Sequence, residues 1–300
     1  MARFDWDTIQ AFLAVKRAGR LTVAAQQMGI EHSTLSRRIA ALEASFGAKL
    51  FERRTVGFTL TPEGESLVAD AEAMETLAIR MRARVDDAST GLTGTLRLGT
   101  PEGFGTYFLA PRIARLSAQH PRLEIELVAN PRSFSLTKRE ADLAVTMTRP
   151  PQGRVDAEKL TDFALGLYAS RAYLGERPTI RSRADLASQR WIGYVEDLMW
   201  TAELDYLPHV APGLAPTLRV SNIISQMAAL AGGAGLGVLP CFMARTEPSL
   251  ERVLPGEVAL TRSYWLVSHA DTRDVARFEL LARFIRAELD AAPAFWAASN

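Results

Sequence analysis

Several absences narrow the function of this 300-residue chain before any motif is read. Cys241 is the only cysteine, so no disulfide forms within the chain. That excludes a peroxide sensor working through an intrachain cysteine pair, and Cys241 reads as a small buried apolar residue. No apolar stretch is long enough to span a bilayer. The N-terminal MARFDWDTIQAF is amphipathic and acidic, without the apolar run of a signal peptide. The expected location is the cytoplasm, with no membrane partner. The four histidines (His32, His120, His209 and His269) are scattered, and no metal-ligand spacing occurs. There is no Walker loop and no nucleophile elbow. Gly232-Gly233-Ala234-Gly235-Leu236-Gly237 fails the G-x-G-x-x-G spacing and follows a helix instead of opening one. It reads as a helix C-cap and tight turn before a buried strand. No catalytic constellation emerges, so neither enzymatic activity nor a cofactor is expected.

Net charge is also nearly lacking, at +1, which by itself does not point to nucleic acid. Its distribution does. Residues 1–62 hold nine Lys and Arg against five Asp and Glu, an excess of four. The length allows two or three domains.

The most informative stretch is Thr22–Leu60. Thr22 is placed to cap a short helix through its hydroxyl. Ala24, Ala25 and Met28 share one face of that helix, and Gly29 follows it, where φ > 0 is often needed. A second helix over His32–Phe46 sets Leu35, Ile39, Leu42 and Phe46 on one face. His32, Ser33, Ser36 and Arg37 lie on the other. Two helices joined by a glycine-bearing turn match a helix-turn-helix, whose second helix enters the DNA major groove. Gly47 ends the helix, and Lys49–Phe51 and Phe58–Leu60 read as the strands of a short hairpin wing. Arg53 and Arg54 near its tip are placed to neutralise phosphates. For the two helices alone, a small helical core with a solvated basic face is an equal reading.

The order of elements is more specific. Ala24-Ala25, Ser33-Thr34-Leu35-Ser36-Arg37-Arg38-Ile39, Leu42-Glu43, Gly47, Leu50-Phe51-Glu52-Arg53 and Leu60-Thr61-Pro62-Glu63-Gly64 are collinear with a known pattern. The stretch resembles the winged helix-turn-helix of the LysR-type transcriptional regulators. One departure is Glu31, where the family more often has a small hydroxyl residue. The resemblance implies that Thr22, His32, Ser33, Thr34, Ser36, Arg37, Arg38, Arg53 and Arg54 form the DNA-binding set. Base discrimination then falls to His32, Ser33, Ser36 and Arg37, and phosphate contacts to Arg53, Arg54 and the recognition-helix arginines.

Thr61 is a good N-cap and Pro62 a good first helical residue, so a long helix starts there and is expected to run to about Asp86. Leu67, Ala71, Met74, Ala78, Met81 and Val85 form a heptad seam along it. Either the seam packs on its own domain or it pairs with a second copy, and the resemblance implies the pairing. Ser89-Thr90-Gly91-Leu92-Thr93-Gly94 has hinge composition.

Residues 95–300 alternate strand and helix patterns, an α/β plan. Strands are expected at Thr95–Gly99, Leu123–Val128, Ala141–Met147, Phe163–Ala169, Trp191–Tyr194, Leu218–Val220, Gly237–Leu239 and Tyr264–Ser268. Helices are expected at Tyr107–Gln119, Arg171–Leu174, Ser221–Ala231 and Val275–Leu289. The resemblance, weaker here, implies a two-subdomain effector domain of periplasmic-binding-protein type. The expected domains are a winged helix-turn-helix at 1–62, a linker helix and hinge at 63–90, and an effector domain at 91–300. Within the last, subdomain I holds 92–161 and 267–292, and subdomain II holds 162–266.

The best small-molecule candidate is the loop Thr100-Pro101-Glu102-Gly103-Phe104-Gly105, which follows a strand and opens a helix. By resemblance it forms one wall of an effector cleft, with Asn222 on the other wall and Asn130, Ser133 and Thr146 nearby. The effector-binding set is therefore Thr100, Pro101, Glu102, Phe104, Asn130, Ser133, Thr146 and Asn222. Glu102 disfavours an anionic effector unless it points away. The expected partners are double-stranded DNA, a small-molecule effector, a second copy through the linker helix with assembly to a tetramer, and RNA polymerase. A solute-binding protein and an enzyme built on the α/β domain are the competing readings. The missing signal peptide counts against the first, the missing catalytic constellation against the second.

Overall fold

A computed structural model describes residues 4–54, 57–90, 92–130, 141–150, 155–270 and 275–298, with the side chains of 82–90 outside the description. The chain divides into two compact units, Met1–Val85 and Asp86–Asn300.

In the first unit, the Asp5 side chain caps α1 (Trp6–Ala18) by accepting from the Thr8 amide at 2.9 Å. Ile9, Phe12, Leu13 and Val15 are buried on its inner face. α2 (Leu21–Met28) and α3 (His32–Phe46) flank a turn in which Gly29 takes φ 65°. α3 has the expected bounds. α2 begins earlier than expected, with Arg20 as its N-cap and no side-chain cap bond. Leu21 packs on the same core as Ala24 and Ala25, which draws it onto the helix and leaves Thr22 inside the first turn, not capping it.

The wing pairs β1 (Phe51–Arg54) with β2 (Gly57–Leu60) antiparallel. Gly57 sits at φ 139°, and a Cβ there would meet the Gly19 carbonyl oxygen at 2.3 Å. That carbonyl accepts from the Phe58 amide at 2.8 Å, so the wing is clamped to the α1–α2 turn. The buried Glu43 carboxylate ties the end of α3 to the wing, accepting from the Leu50 amide at 3.0 Å and the Lys49 ammonium at 2.6 Å.

Thr61 caps α4 (Pro62–Thr90), accepting from the Gly64 amide at 3.0 Å. The helix outruns its expected end. Glu65–Thr90 contains neither glycine nor proline, so nothing stops it before Gly91, and Ser89 and Thr90 are helical instead of part of a connector. The predicted seam divides. Leu67 and Ala71 pack on the core of the unit, where Lys16–Glu72 at 2.8 Å and an Arg17–Glu75 pair hold α4 against α1. Met74 and Met81 of the seam stand out at 38% and 60% exposure, joined by Leu77, outside the predicted seam, at 56%. The Val85 side chain lies outside the described residues.

The second unit runs β3 (Gly94–Thr100), a π-helical stretch (Phe104–Leu109), α5 (Ala110–Gln119), β4 (Leu123–Ala129), β5 (Leu143–Thr146), β6 (Val155–Ser170) and α6 (Arg171–Gly175). It continues with β7 (Ile192–Tyr194), α7 (Leu207–Val210), β8 (Leu218–Val220), α8 (Ile223–Ala231), β9 (Gly237–Pro240), α9 (Cys241–Ala244), β10 (Leu250–Val253), β11 (Ala259–His269), α10 (Ala276–Asp290) and α11 (Pro293–Trp296). The helix expected from Tyr107 is already wound at Glu102. Pro111 has no amide to donate, and the Ala110 amide reaches back to the Gly105 carbonyl, which gives the π geometry.

β3 pairs in parallel with β4 and β5, as an α/β plan requires. Strands expected at Phe163–Ala169 and Tyr264–Ser268 are instead the ends of two long strands, β6 and β11, paired antiparallel from Val155↔His269 to Gly166↔Ala259. Their outer halves, KLTD and ALTRS, carry mixed polar residues because they are partly exposed, so hydrophobicity did not mark them. At one end β11 joins β5, and at the other β6 takes β9 and β10. Among the described residues this makes one seven-stranded sheet spanning two lobes, beside a parallel β7–β8 pair. Phe104, Phe108, Phe242, Tyr264 and Trp296 pack as an aromatic core, with Phe104 and Tyr264 ring centres 4.8 Å apart.

Candidate functional site

Two sites emerge, one in each unit. On the winged unit, Arg20, Thr22, His32, Arg53 and Arg54 line a shallow groove of about 300 Å³. The wing clamp at Gly19 brings the two strand arginines beside the α2 N-terminus. With no side-chain cap on α2, its first amides are open, and such amides favour an anion. Arg54 shares its guanidinium with Glu52 at 2.9 Å, an exposed pair of little strength. His32, Ser33 and Arg37 are exposed on α3, with Thr34 and Ser36 half-buried. Arg38, half-buried on α3, also pairs with Asp7 of α1 at 2.6 Å, a contact that ties α3 to α1. Arg20 was not among the sequence candidates. Its only signal there was its charge in a turn, and the fold carries it to the wing.

In the second unit, a cleft opens beyond the carboxyl ends of β3, β5, β7, β8 and β9. Pro101 and Glu102 follow β3, Met147 follows β5, and Ser221 and Asn222 follow β8. Asn222 caps α8, its side-chain oxygen accepting from the Ser225 amide at 2.7 Å. Phe163, Tyr194, Trp200, Tyr206 and Tyr264 supply aromatic walls. Burial raises the Tyr194 phenol well above its ordinary pKa, and Tyr206, Glu102 and Tyr264 lie near enough to add to the rise. Burial also raises Glu102, opposed by a hydrogen bond from the Ile223 amide.

Of the eight expected effector residues, Pro101, Glu102 and Asn222 meet at this cleft. Phe104 does not: it is fully buried in the aromatic core, because the helix opens at Glu102 and turns the ring inward. Thr100 is also fully buried. A Cβ on Gly105 would meet its hydroxyl at 2.3 Å, so that hydroxyl faces the helix backbone, not the cleft. Thr146 spends its hydroxyl on the Thr148 carbonyl at 2.7 Å, and Met147 lines the cleft in its place. Asn130 follows β4 without lining the cleft, its amide donating to the Thr100 carbonyl at 3.2 Å. Ser133 lies outside the described residues. The aromatic walls escaped sequence reasoning because Phe163, Tyr194, Trp200, Tyr206 and Tyr264 are scattered over some hundred positions with no shared motif.

Among the described residues, no His, Cys, Asp and Glu cluster could hold a metal ion, and no helix is long and apolar enough to cross a membrane.

Comparison with known families agrees with both units. The bacterial regulatory helix-turn-helix protein family of lysR type matches residues 6–65, and the LysR substrate binding domain matches residues 89–290. The transcriptional regulator PtxR of Pseudomonas aeruginosa is 30% identical over 254 residues, which cover 83% of this chain and 81% of PtxR. The Mau operon transcriptional activator of Paracoccus denitrificans is 24% identical over 270 residues, 90% of this chain and 91% of that one. A full-length OxyR variant from Pseudomonas aeruginosa has the same fold, with TM-score 0.70 at 20% identity, covering 95% of this chain and 96% of that one. The chain belongs to the LysR-type transcriptional regulators, DNA-binding proteins that respond to small-molecule effectors.

Proposed function

We propose that the winged unit seats α3 in a DNA major groove, with His32, Ser33, Ser36 and Arg37 at base edges. Thr34 lies beside them, and Arg20, Thr22, Arg53, Arg54 and the first amides of α2 grip the flanking phosphates. The convergence of Arg20, His32, Arg53 and Arg54 on one groove beside an uncapped helix N-terminus carries this reading. Arg38 acts by bracing α3. The exposed Met74, Leu77 and Met81 row pairs with the same row of a second copy, and two such dimers form a tetramer. Each dimer then presents two recognition helices to two half-sites.

The cleft between the lobes takes the effector, on Pro101, Glu102 and Asn222 with the aromatic walls. It shifts the assembly only as far as it binds one arrangement better than another. The protein works in the cytoplasm with RNA polymerase as a downstream partner, and its α/β unit binds without turnover. The domain plan is DNA binding at 1–62, linker at 63–90 and effector binding at 91–300.

The test is protection of the intergenic DNA upstream of its own gene across a salt series. Two protected half-sites, with affinity falling steeply in salt, are expected. Arg37→Ala should cost about 1–3 kcal/mol and relax discrimination at one base pair. Binding no tighter than to random DNA removes the operator from this fragment, and an unchanged Arg37→Ala protein overturns the base-reading role of Arg37.

A further inference from the structure

The cleft offers an effector aromatic faces and one acid. Trp200 is a half-exposed ring of its lining, Tyr194 meets Tyr206 edge-on at 6.3 Å, and Tyr264 is backed by Phe163, stacked on it at 4.2 Å. Such ring faces are electron-rich and attract cations. Among the described residues that line the cleft, none is Lys, Arg or His, and Glu102 is the single acid. Its Oε2 is closed off from solvent and has no hydrogen-bond partner, a costly state that an incoming donor relieves. The α8 N-terminus would favour an anion, but the chain's own carboxyl already holds it through the Ile223 amide. An acidic ligand seated there would meet Glu102 at close range.

We propose that this cleft binds a small organic ammonium ion, its charged head held by Glu102 and enclosed by Tyr194, Trp200, Tyr206 and Tyr264. The proposal rests on reading the cleft as the effector site and names the class of that effector. A cavity of about 40 Å³ sets the ligand at a few heavy atoms. Among the described residues, Arg262 lies 5.9 Å from the centre of Tyr206 and is ion-paired with Glu203, which also acts on that phenol. Among the described residues that line the cleft, the other titratable groups are the phenols of Tyr194, Tyr206 and Tyr264, all raised by burial and so uncharged at neutral pH. Burial lifts Glu102 above the usual carboxylate range. Binding requires the carboxylate, so affinity falls as pH drops through that raised value.

The test is ligand-observed NMR titration of the full chain with three probes of similar shape: trimethylammonium, uncharged tert-butanol and anionic pivalate. Trimethylammonium should bind, with tert-butanol about tenfold weaker and pivalate showing no binding. Glu102→Gln should weaken trimethylammonium by about tenfold and remove its pH dependence. Trp200→Leu, at a half-exposed position, provides a second variant that should weaken trimethylammonium and leave tert-butanol unchanged. Equal binding of trimethylammonium and tert-butanol, or preference for pivalate, overturns the proposal. DNA protection measured in parallel separates the two readings. A protected operator with no ammonium binding overturns the ligand class alone. Ammonium binding without a protected operator supports the ligand class and overturns the placement of the operator in that upstream fragment.

Discussion

Replacing Glu43 by alanine tests whether a single buried carboxylate sets the pose of the wing. Its Oε1 accepts from the Leu50 amide at 3.0 Å, with the Phe51 amide further out at 3.4 Å. Its Oε2 takes the Lys49 ammonium at 2.6 Å, but the Lys49 side chain is 78% exposed. The two partners therefore differ in weight. An exposed ion pair contributes under about 1 kcal/mol. A hydrogen bond to a charged group contributes roughly 1.5–3 kcal/mol, and a buried donor left unpaired costs roughly 1–3 kcal/mol. Because Leu50 is buried, Glu43→Ala strands its amide, and the expected loss is about 3 kcal/mol. For a unit of this size that lowers Tm by roughly 12–24 °C. Lys49→Ala should cost under about 1 kcal/mol. Glu43→Gln keeps an acceptor for the amide and should recover much of the loss. The assay is thermal unfolding, with hydrogen exchange at the Leu50 and Phe51 amides locating the damage. If Glu43→Ala costs no more than Lys49→Ala, or leaves the Leu50 amide protected, the reasoning fails.

Arg20→Ala should weaken binding to all DNA sequences alike and lower the salt slope by about one, while Arg38→Ala, already held by Asp7, should change the slope less; filter binding over a salt series reads both. Gly57→Ala should destabilise the wing and weaken DNA binding together, since its Cβ would collide with the Gly19 carbonyl; normal melting would refute the clamp. Leu77→Glu with Met81→Glu should yield monomers in sedimentation, and a persistent dimer would move the pairing surface elsewhere. Burial makes folded Glu102 keep a proton that the unfolded chain has lost, so between 4.5 and its raised value stability falls as pH rises. Glu102→Gln should therefore raise Tm at neutral pH, with the gain fading below 4.5, and a gain independent of pH would contradict the burial argument.

Local pattern carried the winged unit and the plan of the rest. α3 keeps the bounds that Leu35, Ile39, Leu42 and Gly47 imply, because a 3.6-residue apolar period ended by glycine has few other solutions. The Thr61-Pro62 start of α4 was legible for the same reason: capping depends on residues a turn away. What depends on distant partners was not legible. The α4 seam looked uniform, yet Lys16 and Arg17 recruit its first half and leave Met74 and Met81 uncovered. β6 and β11 are long because they pair with each other across two lobes, and neither strand alone announces that length. Phe104 looked like a ligand contact because it sits in a glycine-rich loop beyond a strand. Its burial follows from Phe108, Tyr264 and Trp296, the last almost two hundred positions away. The cleft is assembled the same way. Its acid could be named from the loop after β3. Its aromatic walls come from Phe163, Tyr194, Trp200, Tyr206 and Tyr264, which only the tertiary fold brings to one cavity, because side-chain convergence is set by topology and not by spacing along the chain.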